Sequence, residues 1–450
     1  MRVGRTVKKL LAGTLAAMTV LAVAGCGSPD DDAERSGTPG AVPKGSSPQK
    51  PVVPRAGQQQ VPPAFDGAKG WAVMQSERLD RPTVAPHSKL VLFLKTHADG
   101  KALGVEARDA ATGAVRWSSA PWKPSPRPAE FRAEDAELVV TSKDGKDYVV
   151  LAATVQEGKD AINRGKPTAH LAVYSADSSG TGVAPLHQVT VPGTDSGAIP
   201  HDTDGTVAVE TRDGMTVVDA AGGTTRSSRG KSTPEFMLRV RSVTYPTLDV
   251  ADVWTGRQQV PTGAVSQDGM DKGVAYGVRG GYLVARWPSK NQDYTVSGLA
   301  MNYVWAVHDE RTGKPAFSVK CDGLTDALPA GGEADTLLSD NGRYLVNGDV
   351  AFDLQAKKGY CFGETESRAG VKFKGVDNSG TAYGAVTTSG SAGPVALDLA
   401  TGKPTELDGN VPLPTRVTGD VALYEATPVN EKDPGAKPAT HAILSVYPRR

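Results

Sequence analysis

The chain has 450 residues, with fifty Lys or Arg against fifty Asp or Glu and an apolar share of 39%. That balance leaves no global charge to draw it to nucleic acid, and 51 glycines lift the composition into the globular range, excluding wholesale disorder. Three cysteines exclude a disulfide-built scaffold and a multi-thiolate metal cluster.

Arg2, Arg5, Lys8 and Lys9 precede an apolar run from Leu10 to Ala24. A helix of that length spans roughly 22 Å, short of the ~30 Å hydrocarbon core, so a secretory signal over residues 1–25 fits better than a membrane span. The run ends in Val23-Ala24-Gly25-Cys26, followed by Gly27-Ser28. This resembles the lipobox of bacterial lipoproteins, with Val23 in place of the Leu the family prefers. The resemblance implies that Cys26 becomes the acylated (diacylglyceryl and palmitate) first residue, anchored at the outer face of the cell membrane. Residues 26–64 are rich in Pro, Ser, Gly and Gln, and Phe65 is the first aromatic residue after Cys26. Such a segment cannot bury enough surface to order itself, and it reads as a disordered tether with a mean reach of about 35 Å. Asp30-Asp31-Asp32 reads as a solvated linker cluster.

From Phe65 onward, short alternating strands follow one another between turn residues: LVLFLKT (90–96), YVVLAATV (148–155), TVAVET (206–211), YLVARW (282–287) and VALYEAT (421–427). Period-two Val, Thr and Tyr bounded by Asp-Gly or Asn-Gly predict an all-β body. A turn recurs among them. Asp-x-x-Thr-Gly stands at Asp109/Gly113, Asp252/Gly256, Asp309/Gly313 and Asp398/Gly402, with weaker copies around Gly180, Gly222 and Gly359. In such a hairpin the Asp side chain bonds its own backbone, and the Gly supplies the positive φ that closes the loop. The mean spacing from Gly113 to Gly402 is about 48 residues, near the length of a four-stranded propeller blade.

Residues 396–403 (ALDLATGK) resemble the repeat of PQQ-like β-propellers, as do 306–314 with one insertion and 107–113 without the lysine. The resemblance implies a propeller of seven or eight four-stranded blades over residues 65–450. The count is seven if the poorly patterned stretch 229–260 is not a blade. The last unit, from about Thr415, lacks the Asp hairpin, so GWAVMQS (70–76) is expected to supply its outer strand and close the ring. No cofactor is carried over from the quinoprotein enzymes, whose adjacent-cysteine pair is missing here.

Cys321 and Cys361 fall in or just after the outermost strands of neighbouring blades. Export favours a disulfide between them, whereas equivalent positions in adjacent blades are often too far apart, so both readings stand. TRSSRGKS (225–232) lacks the first glycine and the strand-to-helix setting of a phosphate loop. His201-Asp202-Thr203-Asp204-Gly205 reads as a strand turn before a metal or base site. The remaining histidines lack ligand spacing. Trp117, Trp254 and Trp305 are expected between blades, and Trp122 and Trp287, each beside a proline, on an exposed contact surface. No catalytic, metal or cofactor residues emerge. The reading is therefore a monomeric, lipid-anchored extracytoplasmic propeller that binds a protein or glycan partner. Its alternatives are an enzyme with a site at the channel mouth (lyase, hydrolase or quinoprotein) and a sensor of a soluble ligand.

Overall fold

A computed structural model describes residues 60–75, 79–97, 102–124, 136–194, 201–203, 205–211, 214–229, 259–265, 273–290, 302–309, 312–322, 336–365, 367–387, 393–426 and 442–450. All of them lie in the second of the chain's two units, residues 52–450. The described residues are strands and turns.

The first strand, β1 (Trp71–Met74), belongs to the last sheet. Blade 1 is β2 (Leu79–Ala85), β3 (Leu90–Thr96), β4 (Leu103–Asp109) and β5 (Val115–Ser119). Blade 2 is β6 (Ala136–Lys143), β7 (Lys146–Glu157), β8 (Lys166–Ser175) and β10 (His187–Pro192), while the intervening β9 (Gly180–Val183) lies parallel to β5 and covers the edge of blade 1. Blade 3 is β11 (His201–Thr203), β12 (Thr206–Thr211), β13 (Gly214–Asp219) and β14 (Thr225–Arg229). Blade 4 is β15 (Val274–Arg279), β16 (Tyr282–Pro288), β17 (Asn302–Asp309) and β18 (Pro315–Asp322). Blade 5 is β19 (Leu337–Leu338), β20 (Tyr344–Asn347), β21 (Val350–Asp353) and β22 (Lys358–Cys361). Blade 6 is β23 (Gly370–Val376), β24 (Thr381–Thr387), β25 (Pro394–Asp398) and β26 (Lys403–Glu406). Blade 7 takes β27 (Arg416–Val417), β28 (Val421–Ala426) and β29 (Ile443–Pro448) from the end of the chain and β1 from its beginning.

Each blade is an antiparallel meander, and consecutive blades meet through their first strands, as β2 with β6, β6 with β11, β11 with β15 and β23 with β27. This is a β-propeller, with seven sheets among the described residues. Residues 230–258, where an eighth blade would fall, lie outside them.

The hydrophobic core is divided among the seams between blades, because each sheet is apolar on both faces. Trp117 and Tyr174 stack between blades 1 and 2, and Trp305 packs with Leu345 and Phe352 between blades 4 and 5. Fully burying side chains of this size contributes about 1.5–3 kcal/mol each. The ring closes between blades 7 and 1, where Trp71, Leu444 and Val446 meet Val91 and Phe93. Trp71 also donates its indole N–H to the carbonyl of Ala110 in blade 1, at 2.8 Å. β1 pairs with β29 in register Trp71↔Val446 to Met74↔Ile443, so the outermost strand of blade 7 comes from GWAVMQS. Just before it, Phe65 is wholly buried against Tyr383, Tyr424 and Tyr447 between blades 6 and 7.

Candidate binding surface

The recurring turn joins the third strand of a blade to its fourth. At Asp109 the carboxylate accepts from the backbone N–H and hydroxyl of Thr112, both at 2.9 Å, and Gly113 closes the loop with φ 70°. Asp309 repeats this with Thr312 at 2.7 Å and Gly313 at φ 69°. Asp398 accepts from Ala400 and Thr401 before Gly402 at φ 70°. The Thr401 hydroxyl bond holds the Asp398 carboxyl below the usual range. Asp252 and Gly256 lie outside the described residues.

Two of the weaker copies close one or two residues away from the glycine that marks them in the sequence. After Asp219 the closing residue is Gly223, not Gly222, and after Asp353 it is Lys357, at φ 52°, not Gly359. The Asp sets the geometry, four residues ahead of the left-handed position. Gly359 instead serves packing, since a Cβ there would sit 2.5 Å from Val319.

These turns share one face of the ring with the turns between first and second strands, and the two kinds are tied together within each blade. The residue after the turn Asp donates its N–H to the inner turn: Ala110 to Lys89, Ala220 to Gly205, Leu354 to Arg343 and Leu399 to Gly380, at 2.8–3.0 Å. Between blades, the wholly buried Asp147 carboxylate accepts from the backbone of Ser88 and contacts His87 Nδ1, each at 2.9 Å. Asp340 of blade 5 accepts from the backbone N–H of Gly419 in blade 7, and burial raises its carboxyl above the usual range. Lys89 pairs with Asp420 at 3.1 Å, and Arg416 donates to Thr83 at 3.2 Å. His, Asp, Arg and Lys side chains thus meet on this face, and these contacts stitch blade to blade.

The two faces differ in loop length. On the stitched face, connections run from two residues (144–145) to five (110–114), except in blade 2, where residues 176–186 carry β9 between β8 and β10. On the opposite face the wholly described connections include residues 158–165 and 407–415. Long loops on a rigid scaffold are where contacts are usually made.

The best-described of these loops is residues 158–165, at the tip of the long β7–β8 hairpin. Asp160 accepts from the backbone of Ile162 and Asn163 at 2.8 and 2.6 Å, and Gly158 and Gly165 bracket the loop at φ 70° and 74°. This ordered loop holds Ile162 at 92% exposure. Nothing in the local sequence marks it apart from the paired glycines.

Cys321 of β18 and Cys361 of β22 are joined by a disulfide with their Cα atoms 5.6 Å apart, linking the outer strands of blades 4 and 5. Such a bond belongs to an oxidising, extracytoplasmic setting. Trp122 and Trp287 do not form a contact surface: they are 7% and 0% exposed. The proline beside each marks a strand end, and the indoles turn inward, Trp122 into the seam with blade 2 and Trp287 onto His308. Trp117 and Trp305 lie between blades, and Trp254 lies outside the described residues. His201–Thr203 form β11, and their side chains, like Asp204, lie outside the described residues. The same holds for Gly230-Lys231-Ser232 and for Cys26. Among the described residues no three His, Cys, Asp or Glu side chains group as metal ligands, and no helix is long and apolar enough to cross a membrane.

No protein-family profile and no curated protein sequence matches the chain. Solved structures do match. The Dos1 propeller is 10% identical over 87% of this chain and 82% of that one, with a TM-score of 0.31. The β-propeller domain of the Trilobed protease from Pyrococcus furiosus, which has an open velcro topology, is 10% identical over 77% and 90%, with a TM-score of 0.32. The Neurospora crassa Pan2 WD40 domain is 9% identical over 83% and 89%, with a TM-score of 0.33. The chain is similar to these propellers in fold alone, and its own sheet order and turn geometry carry the assignment.

Proposed function

We propose that the protein is a lipid-anchored extracytoplasmic binding module whose long-loop face docks a protein or glycan partner. The observation that carries this reading is the asymmetry of the described ring, with one face stitched mostly by short turns and the other bearing the longer connections 158–165 and 407–415. The Cys321–Cys361 bond supports an exported location, and the lipobox-like Val23-Ala24-Gly25-Cys26 supports acylation at Cys26. The chain enters the ring on the stitched face, where Asp66 and Arg450 bond Pro448 and Ala64.

Growth with an alkyne-tagged fatty acid tests the anchor, and labelling and membrane retention should both vanish in Cys26→Ser. In the same cells, partner crosslinking should fall when residues 158–165 are replaced by Asn-Gly, and should persist when Lys89 and Asp420 are both changed to Ser. Crosslinking that follows the stitched face instead would overturn the docking reading.

A further inference from the structure

At the long-loop end of the seam between blades 4 and 5, three strands of blade 4 bring together Arg286, Tyr276, Tyr303 and Trp305. Arg286 in β16 stands opposite Trp305 in β17, with Tyr303 on the diagonal. Tyr276 enters the group through a bulge in β15 between Ala275 and Gly277, the kind of irregularity that re-aims a side chain. Gly277 has to be a glycine, because a Cβ there would overlap Thr336 of blade 5. The Arg286 guanidinium carbon lies 4.2 Å from the centre of the Tyr303 ring, 5.4 Å from Tyr276 and 6.0 Å from Trp305.

Two polar groups in this cluster lack hydrogen-bond partners. Among the described residues the Arg286 guanidinium forms no ion pair or hydrogen bond, although it carries five N–H donors. The buried Tyr276 hydroxyl also has no hydrogen-bond partner. Burial pushes that phenol up to about 12, so it remains an O–H donor at neutral pH. The nearby carboxylate, Asp349, is paired with Lys372 of blade 6 at 3.4 Å. Arg286, Lys372 and Asp349 together leave one positive charge. A guanidinium edge beside a phenolic O–H is a donor set for an anion, and the aromatic faces hold the guanidinium plane while excluding water from one side. An unsatisfied buried polar group costs stability, so the Tyr276 hydroxyl beside a half-buried guanidinium calls for a ligand that completes it.

We infer that this seam is a binding site for a carboxylate-bearing ligand, held in bidentate fashion by Arg286 with the Tyr276 hydroxyl as a further donor. A carboxylate matches the guanidinium fork bidentately, and its single negative charge balances the one positive charge left by Arg286, Lys372 and Asp349, which a phosphate dianion exceeds. The site deepens the binding-module reading, since it supplies one recognised chemical group at the long-loop face. The carboxylate comes from an acidic peptide side chain or an acidic sugar, and the two sources are separable.

The test is ligand-observed NMR titration of the full chain with four probes and phosphate. The peptide pair is N-acetyl-aspartate amide against N-acetyl-asparagine amide, and the sugar pair is glucuronate against glucose. At least one carboxylate should bind, with its uncharged counterpart and phosphate weaker by about tenfold or more. Arg286→Gln should remove that preference. Tyr276→Phe, which keeps the ring and the packing, should weaken the carboxylate severalfold and leave the melting temperature unchanged or higher. Equal binding of charged and uncharged probes, phosphate binding as tightly, or unchanged affinity in Arg286→Gln would each overturn the site. So would no binding by either carboxylate. None of these results touches the anchor or the loop-replacement experiment, so the two readings fail separately.

Discussion

His308 is wholly buried in blade 4, with Nδ1 2.9 Å from the Gly313 carbonyl and Nε2 accepting from the Trp287 indole at 3.2 Å. Burial lowers its pKa, against the pull of the Gly313 bond, so the folded chain keeps it neutral where an unfolded chain would protonate it. In that window the unfolded state binds more protons, and stability rises with pH. The contribution is full above about 6.5 and is lost progressively as pH falls toward the lowered folded value. Asp340 acts in the opposite sense, since its raised carboxyl takes a proton more readily in the folded ring. Urea midpoints measured from pH 8 to 5 should therefore fall, and His308→Gln should flatten that slope while lowering the midpoint overall; a wild-type midpoint flat across the window would contradict this account. The Asp-x-x-Thr-Gly turns were readable in the sequence because all their bonds lie within five residues. The Trp287–His308 pair was not, because it joins neighbouring strands through a register that no local pattern encodes.

Among the elements, β1 contributes most for its length. Four residues supply an outer strand, the Trp71 side chain fills the blade 7–blade 1 seam, and its indole N–H reaches Ala110. Emptying the Trp71 site alone costs about 3–5 kcal/mol, and a large domain loses roughly 2–4 °C of melting temperature per kcal/mol. Deleting residues 65–78 should thus lower the melting temperature by roughly 10 °C or more, with the exposed β29 edge promoting association. A differential scan showing no change would mean that the strand is ornamental. The missing outer strand was legible because a four-stranded repeat leaves a visible remainder. The parallel β9 strip beside β5 was hidden, because Gly180–Val183 has no apolar alternation. The Arg286 cluster was equally hidden, since it depends on a bulge and on three strands at once.

At the scale of the whole molecule, the ring is held at both rims of its construction. Turns stitch one face, and the Cys321–Cys361 bond closes a 40-residue loop across blades 4 and 5. In a chain-entropy account that closure stabilises by roughly 4 kcal/mol. Joining the first strand to the last has a further result, since Trp71 meets Val446 only after the intervening 374 positions have been threaded. Contacts so remote form late, so blades 1 to 6 can assemble while the seventh waits for its guest. During that interval a second molecule's leading strand fits the vacancy as well as the chain's own. Refolding from denaturant in dilute solution should return monomer, whereas refolding at high concentration should give a dimer with exchanged leading strands, resolved by size-exclusion chromatography.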